Sequence, residues 1–475
     1  MADSRLAGRA VWGWSWMTSV TEPTVESRLI AKGDVEYEQY RAGIWNRDVP
    51  VRYPEFILRV RSVRDVVDGL NLARERGWRV TVRGGGHNWF GTSLRDGGLL
   101  LDLGEMRELV SIDTDLREAV IEPALTGRDL ARKLEPHGLA FPVGHCATVP
   151  LSGYLLNGGF GWNSLAWGPA CFSVRSLDIV TPNGDVITAS PEENSDWYWA
   201  ARGGGHGFFG VVVRYRIGLF PLPKAITTST CVFPLSRIRE VSDWAAALRG
   251  GLPKHVELTV ILGNVPGILT GGDARLSRAV VVTATSFSDG EEEARATLAS
   301  LTEPPVATGC QRKILNDATP YEALSGLGAE LWPENFRYRS DNFWHNESLG
   351  TVLPRLAGLA TEAPERSFFL CLPVPPPDPA VPPPDTAFSM IGPTFVACYA
   401  VWKDPKSDGA AKEWYARSTH TLETGSIGHY IGEADIELHP ERARRSFSPA
   451  AWKRLDELRK RYDPSRRFSG FYGEP

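Results

Sequence analysis

Two side chains in this sequence stand where covalent chemistry is easiest to arrange. His87 ends the glycine run of VRGGGHNWFG (82–91), and Cys146 sits inside VGHCATVPLSGYLLNGGFG (143–161), a stretch of Gly, Ser, Thr and Pro. Such backbone can approach a flat or anionic ligand closely, because few Cβ atoms stand in the way. Each loop delivers one nucleophile, an imidazole or a thiol, and the two are 59 positions apart. Taken alone, RGGGH also reads as a tight turn with a surface histidine, and Cys146 as a small buried hydrophobe. Together they suggest a planar cofactor gripped from two sides. A thiolate at Cys146 needs nearby positive charge or amide dipoles, and an amide-rich loop supplies the latter.

A third glycine cluster, Gly205-His-Gly207-Phe-Phe-Gly210, matches the G-x-G-x-x-G fingerprint of dinucleotide binding. That fingerprint requires a strand before the glycines and a helix after them. Here helical SDWYWAAR comes first and the β-rich run GVVVRYRI follows, which argues against a doubly wound nicotinamide site. A turn whose amides meet a cofactor remains compatible with it.

The elements that must position these loops follow α/β patterning. Phe56 to Val60 and Arg79 to Val82 read as strands around a helix from Val63 to Glu75, which Ser62 and Asp65 cap and Gly77 stops. A lead-in to about residue 50 ends in a helical VEYEQYRAGIWN. Short strands at 99–103, 110–112 and 119–123 precede a helix over 127–136, and Pro182-Asn183-Gly184 predicts a hairpin. After Pro221 and Pro223 the texture changes. Strands are expected at 227–233, 255–262, 279–287, 367–372 and 394–402, with helices at 236–249, 291–301 and 410–422. This layout favours an antiparallel sheet with helices on one face. PVPPPDPAVPPPD (373–385) reads as an exposed loop. The segment 446–468 reads as a helix, FSPAAWKRLDELRKRY with Ser448 as N-cap and Pro449 at its first position, followed by Asp463-Pro464 and a short tail; its apolar face must dock, and the first lobe is the expected place.

Composition narrows the partners. With 475 residues and 42% hydrophobic content, the chain can build two or three lobes with real cores. A net charge of −5 argues against the broad basic surface that nucleic acid or anionic lipid requires. The six cysteines are scattered without a C-x-x-C pair, so no metal site and no disulfide framework is expected. Arg5, Arg9 and the polar residues around VWGWSWMTS break up any leader-like apolar stretch. No apolar run reaches the roughly 18 residues of a membrane span, so a cytoplasmic protein acting on a small molecule is expected. The 16 tryptophans are enough to fill core and also to line a pocket for a planar or sugar-like ligand.

RGGGH, GHCATVPLSGYLLNGGFG, DWYWAARGGGHGFFGVV and RYDPSRRF, in this order, resemble the FAD-linked oxidases of the berberine-bridge-enzyme-like family, within the vanillyl-alcohol-oxidase superfamily. The resemblance runs from about Gly33 to the C-terminus and is densest up to residue 222. It implies an α+β protein: a PCMH-type FAD-binding lobe of two α/β subdomains (1–222, rejoined by 441–475) and an antiparallel-sheet substrate lobe (223–440). It implies FAD attached twice, through the 8α-methyl to His87 and through C6 to Cys146. Carried over residue by residue, the first loop would contact flavin through Arg83, Gly84, Gly85, Gly86, Asn88 and Gly91. The second would use Gly144, Thr148, Val149, Ser152, Gly153, Tyr154, Asn157, Gly158 and Gly161, and Gly210 with Val211 would complete the wall.

The resemblance further implies hydride transfer from an alcohol, sugar, amine or secondary metabolite to flavin N5, with dioxygen as acceptor and hydrogen peroxide as by-product. A dehydrogenase using another acceptor and a non-catalytic flavin-binding homologue are the alternatives. Such a reaction needs a base. Candidates are Glu433, Tyr430 and His429 in GHYIGEAD, and Asp341 and His345 in YRSDNFWHN, with Glu433 first because an apolar pocket raises a carboxylate's proton affinity. The chain departs from the family at Gly84, often serine, at Tyr154, often histidine, and at Tyr430-Ile431-Gly432-Glu433, which replaces Tyr-x-Asn-Tyr. The tail SGFYGEP also lacks the usual Asn or Gln. The relatives' substrates therefore do not carry over, and the oligomeric state stays open.

Overall fold

The computed structural model describes residues 25–302, 304, 309–376, 380 and 382–472. The expectations about Arg5, Arg9 and VWGWSWMTS, about part of the proline-rich run and about the last three residues lie outside that range.

Among the described residues three large sheets and a two-stranded ribbon, Leu139–Ala140 with Phe220–Pro221, carry the chain. In the first, Phe56–Arg59, Leu99–Asp102 and Val80–Arg83 lie parallel in that order, with Leu29–Ala31 antiparallel on the Phe56 edge. The helix Val63–Glu75 covers it with Val66, Leu70 and Ala73. Its capping box is complete, Ser62 accepting from the Asp65 amide and Asp65 from the Ser62 amide. The loop holding His87 leaves the carboxyl end of Val80–Arg83, where parallel sheets present their ligand sites.

The second sheet is antiparallel, in the order Leu109–Asp113, Glu118–Ile121, Val211–Gly218, Val174–Val180 and Val186–Ala189. Its hairpin turns at Pro182–Gly184, where the Gly184 amide closes on the Thr181 carbonyl at 2.9 Å. Ser195–Ala201 precedes the Gly205–Gly210 turn and the strand Val211–Gly218 follows it, which is the reverse of the dinucleotide order.

The third sheet has eight antiparallel strands, in the order Arg312–Ala318, Ala225–Pro234, Arg278–Ser288, Val256–Asn264, Phe368–Pro373, Thr394–Trp402, Arg337–His345 and Ser426–Gly428. Helices Ile238–Gly251, Ala357–Glu362 and Asp408–Glu423 pack on one face against Val260, Phe369 and Cys398. The other face carries Leu370, Leu372, Phe395 and Tyr399, turned toward Trp89 and Phe160 of the first lobe. Because both faces are covered, Phe368–Pro373 and Thr394–Trp402 are buried along their whole length.

The terminal helix runs Pro449–Tyr462 with Ser448 as N-cap, and packs Leu455 and Leu458 with Trp197 and Phe208. Beyond it the chain returns to the first sheet: the Val80 amide donates to Arg467 at 2.7 Å, and the Ser469 amide to Val80 at 2.9 Å. The helix expected over VEYEQYRAGIWN is only Tyr37–Arg41. It stops because the Trp45 amide bonds the Gly86 carbonyl at 2.9 Å instead of a helical partner.

The strand Arg337–His345 escapes its sequence because Ser340, Asp341 and Asn342 are polar yet fully buried. Their partners are distant in the chain. Asn342 donates to the Tyr430 carbonyl at 2.9 Å and accepts from the Tyr430 amide at 2.6 Å, while Asp341 accepts from the Asp435 amide at 3.1 Å and pairs with buried Arg442. Replacing Arg442 by methionine strands a carboxylate in the core. We expect a loss of about 3–5 kcal/mol, read as a lower midpoint in denaturant unfolding. An unchanged midpoint would mean the pair carries no net stability.

Candidate functional site

A cavity of about 290 Å³ lies between the loops of the first two sheets and the helix-free face of the third. The imidazole of His87 stacks on Trp45 with centroids 4.1 Å apart, and its Nε2 lies 3.0 Å from the Thr148 hydroxyl. Burial pushes its pKa down to about 4, so at neutral pH the ring keeps a free nitrogen lone pair. Cys146 Sγ stands 3.8 Å from His87 Nε2 and 3.5 Å from Thr148 Oγ1. Burial raises the thiol's pKa while the Thr148 hydroxyl and amide oppose the rise. The two glycine loops thus bring both nucleophiles to one end of one cavity.

The residues present fit a flavin dinucleotide. The amides of Gly85, Gly86 and His87 have no hydrogen-bond partner among the described residues. Asn157 Oδ1 and His206 Nε2, both on residues of the wall, are buried polar atoms without a partner. Arg95 on the same wall is held down to about 10, first by burial and then by Arg52, Arg79 and Arg459, a cationic excess that an anionic ligand would relieve. The glycines are needed for closure: a Cβ on Gly84 would lie 2.0 Å from Ser152 Oγ, and one on Gly85 2.1 Å from Pro150 Cγ. Gly85→Ala must therefore push the two loops apart. The expected result is a loss of about 1–3 kcal/mol in stability with a flavin-to-protein absorbance ratio below half that of the parent. Full flavin content would show that the loops tolerate the separation.

Arg83, Gly84, Gly85, Gly86, His87 and Asn88 line this cavity, as do Gly144, Cys146, Val149, Ser152, Gly153, Tyr154 and Asn157, and Gly210 with Val211. Arg83 is buried and paired with Asp102 at 2.7 Å. Thr148 lies behind the surface and holds both nucleophiles. Three further expected contacts do not reach the wall. Gly91 packs toward Ile44 and Pro50, and a Cβ on Gly158 would strike Phe388 and one on Gly161 the Val143 carbonyl, so these glycines permit close packing.

Among the base candidates, Glu433 and Tyr430 line the cavity, and His345 does not. His345 is fully buried near the end of its strand, with Nδ1 4.0 Å from Glu347. Asp341 is consumed by Arg442, and His429 by the Asn342 carbonyl at 2.7 Å. The Tyr430 hydroxyl accepts from the Gly159 amide at 3.3 Å. Glu433 accepts from the Tyr399 hydroxyl at 2.7 Å; burial raises its pKa, and Tyr399 and the charge of His145 oppose this. His145, beside Cys146, holds Glu257 at 2.6 Å; burial disfavours its cation, but Glu257 wins and the net shift is upward. Sequence reasoning missed His145, Glu257, His206 and Tyr399. The signals were a histidine next to the thiol, a lone carboxylate in the apolar strand Val256–Asn264, and period-2 alternation placing Tyr399 on the face of Phe395.

Residues 54–190 match the FAD binding domain family. FAD-linked oxidoreductase nodO of Hypoxylon pulicicidum is 30% identical over 92% of this chain and 94% of its own. The chain belongs to the FAD-linked oxidoreductases. Solved structures agree on the fold of this oxidoreductase. 6-Hydroxy-D-nicotine oxidase from Arthrobacter nicotinovorans superposes with a TM-score of 0.79 at 23% identity, covering 94% of this chain and 97% of that one. BBE-like 1 of Physcomitrella patens gives 0.77 at 17% identity, covering 94% and 98%. Among the described residues no helix is long and apolar enough to cross a membrane.

Proposed function

We propose that this FAD-linked oxidoreductase is an oxidase with doubly attached flavin, tethered at His87 and Cys146, and that Glu433 is its catalytic base. The observation that carries the reading is that one cavity holds an imidazole and a thiol 3.8 Å apart and a carboxylate on the turn that follows the edge strand Ser426–Gly428 of the facing sheet. When bound, FAD supplies the two-electron acceptor for a hydride from a small-molecule C–H bond, with dioxygen as the final acceptor and hydrogen peroxide as product.

The protein's own groups do the rest. Glu433 takes the proton from the substrate's hydroxyl or amine, and Tyr399 fixes the carboxylate through its 2.7 Å hydrogen bond. His145, held by Glu257, places positive charge near that carboxylate and favours its ionised form. The sheet's apolar face excludes water. We assign residues 1–222 and 441–475 to the FAD-binding domain and 223–440 to the substrate-binding domain. Six free cysteines support a cytoplasmic location.

The test is anaerobic mixing with a panel of alcohols, amines and sugars, followed by admission of air. Bleaching by one class and rapid reoxidation with peroxide release is the expected result. Bleaching with slow reoxidation would make the protein a dehydrogenase, and no bleaching by any compound would make it a flavin-binding protein without turnover.

A further inference from the structure

The substrate side of the cavity is unusually poor in hydrogen-bonding groups. Strand alternation turns Leu370 and Leu372 into it from Phe368–Pro373, and Phe395 and Tyr399 from Thr394–Trp402. Trp332 and Phe160 close the sides, Phe160 lying 6.3 Å from Phe395 and Trp332 5.4 Å from Tyr399 between ring centroids. The polar atoms on this wall are few, and most are already engaged. The Tyr399 hydroxyl is donated to Glu433, and the Tyr430 hydroxyl accepts the Gly159 amide. What remains is the Glu433 carboxylate and the O–H of Tyr430, which can still donate while its oxygen accepts the Gly159 amide.

From this, and resting on the function proposed above, we infer that the substrate is an apolar ring or isoprenoid compound bearing a single oxidisable alcohol or amine carbon, and not a sugar. A sugar carries a hydroxyl on nearly every carbon. Each hydroxyl buried here without a partner weakens binding on the order of tenfold. An apolar ring loses nothing of that kind and gains contact with the leucines and aromatic faces. Its one polar group is met by Glu433, which accepts the proton as the adjacent C–H bond gives up its hydride. The carbon becomes a carbonyl or imine, two electrons leave as that hydride to the flavin, and the proton stays on the carboxylate. Tyr430 has one donor to offer to an ether, ester or carbonyl oxygen elsewhere on the same skeleton.

The experiment titrates the flavin-loaded protein with perillyl alcohol, a cyclic monoterpenoid allylic alcohol, and separately with cellobiose, following the flavin absorption spectrum. Perillyl alcohol should perturb or bleach the flavin at a concentration at least about tenfold below any at which cellobiose acts. Leu372→Gln should weaken the response to perillyl alcohol by about tenfold at unchanged flavin content. A cellobiose response at equal or lower concentration overturns the inference, and so does a flavin spectrum that perillyl alcohol leaves unchanged up to its solubility limit. Protein that is colourless before any probe is added instead removes the flavin reading on which the inference rests.

Discussion

Glu433→Gln is expected to leave the flavin bound and to slow its reduction by substrate roughly 10²- to 10⁴-fold, the usual contribution of a positioned base. The amide is isosteric and still accepts the 2.7 Å hydrogen bond from Tyr399, so the cavity keeps its shape and only proton acceptance is lost. Stopped-flow bleaching under nitrogen reads the effect directly, and unchanged bleaching removes Glu433 from the chemistry. The pH dependence has a definite sign. Burial raises the Glu433 pKa above its ordinary value, and only the carboxylate works as a base, so the reduction rate must climb with pH through that raised value. Stability runs the other way. The folded state holds this proton more tightly than the unfolded chain, so the group's contribution is complete below the ordinary carboxylate pKa and is lost as pH rises through the raised one. Tyr399→Phe removes a hydrogen bond that favours the charged form and should move the rising limb of the rate profile to higher pH.

The double variant His87→Ala/Cys146→Ala is expected to release all its colour into the supernatant on acid precipitation, whereas each single variant keeps colour in the pellet through the remaining bond. The argument is geometric. His87 and Cys146 approach within 3.8 Å from separate loops, and Thr148 contacts both, so either side chain can reach a ring lying at that end of the cavity. The neutral imidazole suits attachment, because burial has already removed its competing proton at pH 7. Losing both tethers should also lower the reduction rate by about tenfold, equivalent to about 1.4 kcal/mol of barrier. Parent protein that frees its colour in acid would defeat double attachment while leaving the family assignment intact.

Local rules carried much of the architecture into the sequence. Ser62 and Asp65 announce a capping box, Pro182-Asn183-Gly184 a hairpin, and Thr394 to Trp402 a strand, because each signal acts within a few residues of itself. What escaped depends on partners far away. Ser340, Asp341 and Asn342 look like loop residues until Tyr430, Asp435 and Arg442 arrive to satisfy them, and the same distance hides that His345 faces away from the chemistry. His145 was passed over because its meaning comes from Glu257, on a strand more than a hundred positions later. The helix before Trp45 ends early for a similar reason, its amide being claimed by Gly86.

The pairing of Arg467 and Ser469 with Val80 ties the cradle to a long-range closure. The strand that launches the His87 loop gains its outer neighbour from residues that follow the whole of the large third sheet in the chain. The cofactor cradle therefore closes only when two distant stretches meet, and local folding of the first lobe cannot complete it. A protein truncated before Arg467 should accumulate pale and prone to proteolysis, however sound its larger sheet.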